Sequence, residues 1–189
     1  MTEKSELSLN HSRYYALELC QASLDRLFLE DGDPKKYLGP MPSTINVLLQ
    51  LSKGLEYVHE QKLVHRDIKP QNVLIWVNSG KNEQVLMKWA DFGLSKPVNH
   101  RGSYSMSGVR GTTGWLAPEI LKLIESGDNR DTKETQIRGT VKTDVFAEGL
   151  VFGYFLLGGG HLFGSRLSIQ SNIVNNKPVN LTSKYFWCC

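Results

Sequence analysis

The chain has 189 residues, 40% of them hydrophobic, and a formal net charge of +3. One domain of that length can bury a sizeable core, and so small a charge compels no nucleic-acid partner. Three unevenly spaced cysteines, Cys20, Cys188 and Cys189, make a poor disulfide framework and suit a reducing compartment.

The opening MTEKSELSLN has no apolar stretch of the kind a secretion signal needs. The two glycosylation patterns, at Asn10 and Asn180, therefore read as chance matches. The terminal Cys188-Cys189 is not a prenylation box, because Phe186 stands where one requires cysteine. After a polar tail over 1–13, YYALEL (14–19) reads as a strand. SLDRLFLE can form a short helix with Leu24, Leu27 and Phe28 on one face. A Gly- and Pro-rich loop follows, then Ser43 offers an N-cap for a long helix. Its apolar spacing runs through Ile45, Leu48, Leu55 and Val58, with polar Ser52 among them. NVLIW and VLMKW read as short strands around the polar turn VNSGKNEQ.

From Asp91 to Glu119 the chain is expected to be mostly loop, and so long an irregular stretch is usually functional. The charged run 125–143 reads as a mobile surface insertion. The apolar run 145–160 is too short for a membrane span and carries Glu148, so it reads as a buried helix ended by a glycine turn. A polar end follows. The mixed order predicts an α+β fold in which helices dominate.

Three groups of residues carry chemistry. His65, Arg66, Asp67 and Asn72 fit H-R-D-x-x-x-x-N; Asp91, Phe92 and Gly93 form D-F-G; Ala117, Pro118 and Glu119 form A-P-E. In this order, and with strands and a loop between them, they resemble the protein kinase superfamily. The residue types suit phosphoryl transfer. Asp67 can orient an attacking hydroxyl and accept its proton, and Asn72 and Asp91 offer oxygen ligands for Mg²⁺. Lys69, two residues beyond the base, can neutralise charge on the transferred group. A surface polar residue in a turn is the alternative for Lys69 taken alone. His65 is read as packing under the loop rather than transferring protons.

Lys69 at that position resembles serine/threonine kinases, and Thr112 in GTTGW resembles the threonine that bonds the base and the lysine there. In such kinases the arginine before the base pairs with a phosphate on the following loop. Arg66 would take that part, with Ser103, Ser105 or Ser107 as the modified residue. Alternating serines in a polar loop also fit solvated filler.

The stretches ALELCQASLDRLF, SGVRGTTGWLAPEIL and TDVFAEGLVFGYFLLGGGHLFG are closer still to the inositol-requiring enzyme family of stress sensors, which fuse a kinase to an endoribonuclease. Trp115 is characteristic, since most kinases carry Tyr there. The similarity covers roughly residues 14–175, apart from the charged insertion, with 176–189 left as a tail. It implies a mainly helical C-lobe with the last N-lobe strand and hinge. It also implies Leu17 as gatekeeper, backbone groups of Glu18 and Cys20 on adenine, Leu74 against the adenine ring, and Asp144 as anchor of the catalytic loop. ATP and Mg²⁺ are the implied cofactors. Ser/Thr hydroxyls of a protein substrate, or of a second copy in trans within a homodimer, are the implied acceptors.

No G-x-G-x-x-G loop followed by V-A-I-K lies upstream, and GGGHLFG fails the pattern because Phe163 stands where Gly is required. The N-lobe is therefore expected to be mostly absent, and the chain to be a fragment: a partial gene model, a splice form or a degenerate copy. The alternative function is a non-catalytic module that binds nucleotide or a full-length partner. No ribonuclease or other nucleic-acid site and no membrane span is expected in this chain. It is expected to be cytoplasmic as written, its parent lying at the endoplasmic reticulum membrane with the kinase on the cytosolic side.

Overall fold

The computed structural model describes residues 17–78, 84–105, 110–126 and 138–181. In chain order the elements are β1 (Ala22–Ser23), a 3-10 turn (Leu24–Phe28), α1 (Thr44–Glu60), β2 (Leu63–Val64), a 3-10 turn (Pro70–Asn72), β3 (Val73–Asn78) and β4 (Gln84–Trp89). A third 3-10 turn (Phe92–Leu94), β5 (Lys96–Pro97), β6 (Ser103–Ser105), α2 (Pro118–Glu125), β7 (Arg138–Thr140), α3 (Lys142–Leu156) and α4 (Ile169–Val174) follow. The mixed α and β content agrees with the α+β expectation.

The antiparallel hairpin β3–β4 is the scaffold of the site. Its register runs from Val73 opposite Trp89 to Asn78 opposite Gln84. Both apolar runs read as strands from the sequence form it, each extended into the intervening polar residues. Side chains alternate across a strand, and Val73 and Ile75 are fully buried on the inner face while Leu74 and Trp76 point outward. β1 pairs with the other side of β3, giving a sheet of order β1-β3-β4. The Gln21 side chain prolongs that pairing: its amide accepts from Val77 N–H at 2.7 Å and donates to the Val77 carbonyl at 3.2 Å. On the outer side of β4, Gln50 of α1 accepts from Met87 N–H at 2.8 Å and donates to the Val85 carbonyl at 3.3 Å.

α1 lies along β4, with Trp89 Nε1 donating to the Leu51 carbonyl at 2.9 Å. Ser43 stands at its N-cap as expected, without a side-chain cap bond. The buried stripe is Val47, Leu51, Leu55 and Val58, and Ile45 is 62% exposed. Leu55 and Val58 are buried as the sequence suggested, but in the first half of the helix the apolar face is turned from Ile45 and Ser52 to Val47 and Leu51. The docking surface decides it: Gly54 lets the helix sit close under the Trp89 ring, which brings Leu51 rather than Ser52 to the centre of the contact.

Other expectations need correction. Leu17, Glu18 and Leu19 form no strand, and the two leucines are exposed; among the described residues no strand pairs with them, and a strand needs a partner. The charged run read as a surface insertion is ordered at both ends. Glu125 closes α2, Arg138–Thr140 pair with β6, and Thr143 is buried. Residues 127–137 lie outside the described set. The polar end contains an unforeseen helix, α4, whose Ile173 packs with Leu121, Leu150 and Phe163. α3 is the buried apolar helix expected. Ala147 and Val151 enter the core made by Leu24, Leu51, Leu55, Ile68, Val73 and Ile75, while Leu150 enters the α4 cluster. Its chain leaves through Gly158 and Gly159 at positive φ. No helix among the described residues is long and apolar enough to cross a membrane.

Candidate active site

The loop between β2 and β3 is fixed from below by one carboxylate. Asp144, in the first turn of α3 and 1% exposed, accepts the backbone N–H of His65 at 2.7 Å and of Arg66 at 2.9 Å. His59, at the end of α1, reaches the same carboxylate at 3.0 Å. Arg66 is held at φ 69, a left-handed conformation that a non-glycine residue keeps only when its surroundings enforce it. The two Asp144 bonds supply that enforcement. They also agree with the anchoring part that the resemblance implied for Asp144.

His65 joins this loop to the next. Its Nδ1 accepts from Asp67 N–H at 3.3 Å, so its proton sits on Nε2, which donates to the Ala90 carbonyl at 2.9 Å. The ring is fully buried and lies 4.7 Å from that of Phe92. With both nitrogens engaged in structure, it packs under the loop as the sequence suggested.

Asp67 is 7% exposed, and protein donors surround its carboxylate. Oδ2 accepts from Lys69 Nζ at 2.7 Å and from Asn72 Nδ2 at 3.1 Å; Oδ1 accepts from the Thr112 hydroxyl at 2.6 Å. Lys69 also donates to Thr112 Oγ1 at 2.7 Å, closing a ring of three side chains. Burial pushes the Asp67 carboxyl up. The hydrogen bonds from Lys69, Thr112 and Asn72, together with the lysine charge, outweigh it and hold the group below the ordinary aspartate value. The carboxylate is therefore ionised at neutral pH and fixed in direction by Lys69, Thr112 and Asn72.

Gly111 lets the Thr112 turn approach. A Cβ there would stand 2.8 Å from the Arg66 carbonyl, at φ 119, where side chains are strained.

Asn72 and Asp91 sit at one end of the hairpin, tied by the Ala90 N–H on the Asn72 carbonyl at 2.9 Å. Asn72 spends its Nδ2 on Asp67, through the backbone carbonyl at 2.8 Å and through Oδ2, leaving Oδ1 with no donor among the described residues. Asp91 is exposed at φ 63, and among the described residues its Oδ1 meets only Gly93 N–H at 3.3 Å. One amide oxygen and one largely unengaged carboxylate at the same hairpin end fit a hard divalent cation that keeps several waters.

The residues expected around adenine gather on the outer face of the hairpin. Leu74 is cross-strand partner to Lys88, whose ammonium pairs with the Glu18 carboxylate and lies over the Trp76 ring. Cys20 is partly exposed; burial raises its thiol pKa against the pull of Lys88.

Arg66 and the serines are not brought together. The Arg66 Nε–H donates to the Leu94 carbonyl at 2.6 Å, and the guanidinium lies 5.6 Å over the ring of Tyr104. Tyr104 is buried in the middle of β6, so Ser103 and Ser105, its strand neighbours, face the other way. Gly139 on β7 makes the room, since a Cβ there would overlap the Tyr104 ring at 2.2 Å. Ser107 lies outside the described residues. Arg66, Tyr104, Arg110 and Thr112 line one hollow behind the catalytic loop.

Sequence reasoning did not assign parts to His59, Tyr104 or His161. Tyr104 carries no signal without knowledge of its pairing to β7. Glu148 did carry one, as a lone acid in an apolar run. It is 9% exposed, its Oε1 has no hydrogen-bond partner among the described residues, and burial, opposed by His59 and reinforced by Asp144, pushes its pKa to about 7.

Comparison with known proteins adds the following. Residues 4–184 match the protein kinase domain model. The chain is 40% identical over 169 residues to human serine/threonine-protein kinase/endoribonuclease IRE2, covering 87% of this chain and 16% of that protein. It is 36% identical over 176 residues to the Schizosaccharomyces pombe sensor for unfolded proteins in the ER, ire1, covering 85% of this chain and 16% of that protein. It is 37% identical over 169 residues to Caenorhabditis elegans kinase/endoribonuclease ire-1, again covering 87% and 16%. The chain thus spans about a sixth of the length of these relatives.

Proposed function

The chain belongs to the protein kinase domain family, by kinship a serine/threonine kinase, and from that premise we propose that it carries the catalytic half of a site transferring phosphate from ATP to Ser or Thr hydroxyls. The observation that carries this reading is the Asp67 carboxylate, held ionised between Lys69, Thr112 and Asn72. An acceptor hydroxyl would lose its proton to Asp67. The Lys69 ammonium would offset charge on the group in flight, and Thr112 would fix both in place. Asn72 Oδ1 and the Asp91 carboxylate would hold Mg²⁺, which when bound offsets the negative charge of the phosphates. Leu74 and the backbone of Glu18 and Cys20 would receive the adenine.

In this reading the elements are the C-lobe and hinge of the kinase fold. The parent is an endoplasmic-reticulum stress sensor that modifies itself in trans within a homodimer, on the cytosolic side. Arg66 is the proposed receiver of phosphate from Ser103, Ser105 or Ser107, helped by Arg110. Because Ser103 and Ser105 face away from Arg66, phosphate there would have to draw β6 off β7 and displace Tyr104.

Alone, the 189-residue chain is expected to transfer little phosphate, since no glycine-rich loop or strand lysine positions the nucleotide. The test joins the chain to the N-lobe of a related kinase and follows transfer from labelled Mg·ATP. Asp67→Asn should lower the rate by about 100-fold or more. An Asp67→Asn fusion as active as its parent would overturn the assignment of the base.

A further inference from the structure

The Thr112 that closes on Asp67 sits in a turn, and a residue far along the chain grips that turn from behind. His161 follows the glycines after α3, and its Nε2 lies 3.0 Å from the Gly114 carbonyl. Its other nitrogen, Nδ1, accepts from Phe163 N–H at 3.1 Å. An acceptor at Nδ1 leaves the proton on Nε2, so the ring donates to Gly114. The ring also stands edge-on to Trp115 at 5.0 Å, and Trp115 in turn to Tyr154 of α3 at 5.9 Å. Within the turn, Trp115 N–H closes back on the Thr112 carbonyl at 3.0 Å. The histidine itself is seated firmly: its carbonyl accepts from Asn180 Nδ2 at 2.8 Å, and neighbouring Phe163 is buried against Leu150 and Ile173.

We propose that His161 is a positioning residue: by donating to Gly114 it sets the turn that carries Thr112 onto Asp67. The proposal rests on the reading of Asp67 as the base. Only one tautomer of a neutral ring can make both bonds. A second proton on Nδ1 would face the Phe163 N–H, break the seat and loosen the grip on Gly114. The groups facing the ring, Trp115 from the turn and Phe163 from its own loop, carry no charge. Burial lowers the His161 pKa and the Gly114 carbonyl opposes this, so the neutral ring persists below the usual histidine range.

The experiment measures hydrogen exchange at the Trp115 amide in the full 189-residue chain, corrected for intrinsic rates, between about pH 7.5 and 4.5. It needs no phosphotransfer, so its outcome stands apart from that of the fusion assay. Wild-type protection should be high at the upper end and fall roughly tenfold as His161 takes its second proton. His161→Ala should lose about the same factor at every pH. His161→Gln, whose amide N–H can still donate to Gly114 but does not titrate, should keep the protection and show no fall. The Leu55 amide of α1 should stay protected in all three, reporting an intact core. The proposal is overturned if His161→Ala leaves Trp115 as protected as wild type, if His161→Gln behaves like His161→Ala, or if wild-type protection is as flat with pH as that of His161→Gln.

Discussion

Glu148→Gln should stabilise the protein, and more so in alkali than in acid. Glu148 is 9% exposed, one of its oxygens has no partner among the described residues, and its pKa rises from 4.5 to about 7 on folding. Below about pH 4.5 the carboxyl is protonated in the folded and unfolded chain alike and costs nothing. Between about 4.5 and 7 the unfolded chain ionises while the folded chain keeps its proton. The unfolded state then binds fewer protons, and stability falls as pH rises. Above about 7 the whole cost is present. At ~1.4 kcal/mol per pKa unit the full shift is worth about 3 kcal/mol. The amide never ionises, so its advantage over wild type should widen by about 2 kcal/mol between pH 5 and pH 8. Any constant offset from the swapped group cancels in that difference. Urea unfolding followed by circular dichroism at the two pH values reads it directly. An advantage equal at both, or larger at pH 5, would mean that folding does not disfavour the carboxylate, and the argument from its unpartnered oxygen would fail.

Asp144→Ala strips the acceptor from two buried loop N–H groups and should cost ~3 kcal/mol or more, read as a lower urea midpoint. Thr112→Val removes a donor from Asp67 and should raise that carboxyl's pKa, seen by carbon NMR; an unchanged titration would show the hydroxyl to be incidental. Gly139→Val should expel Tyr104 from its seat over β7 and speed tryptic cleavage at Arg101, and cleavage at the wild-type rate would show that the ladder does not hold this segment.

The meeting of the candidate site residues was legible because short motifs fix spacing along the chain. Asp67, Lys69, Asn72 and Thr112 converge, although Thr112 lies 43 residues from Lys69. The sequence could not yield the partnership of Arg66 with Tyr104, which depends on β6 pairing with β7, a strand inside the charged run; composition alone made that run look like plain surface. The phase of α1 was misread for a related reason. Periodicity yields a stripe but not its partner, and the close seat of Gly54 under Trp89 exists only once β4 is in place. The strand read at 14–19 failed over its described residues because a strand is a relation between two segments, and propensity sees one.

The glutamines at the hairpin's borders bear on how the sheet ends. An edge strand offers a row of unmet N–H and C=O groups, an open template for another chain. Gln50 occupies that row on β4 with an amide that mimics a peptide unit, and Gln21 does the same where β1 stops short on β3. Two side chains thereby act as the missing neighbour strands, satisfying the backbone without offering a further edge to copy. Gln50→Ala should uncover the Met87 N–H and the Val85 carbonyl, a place where a strand of another chain could pair, detectable as a rise in light scattering with concentration.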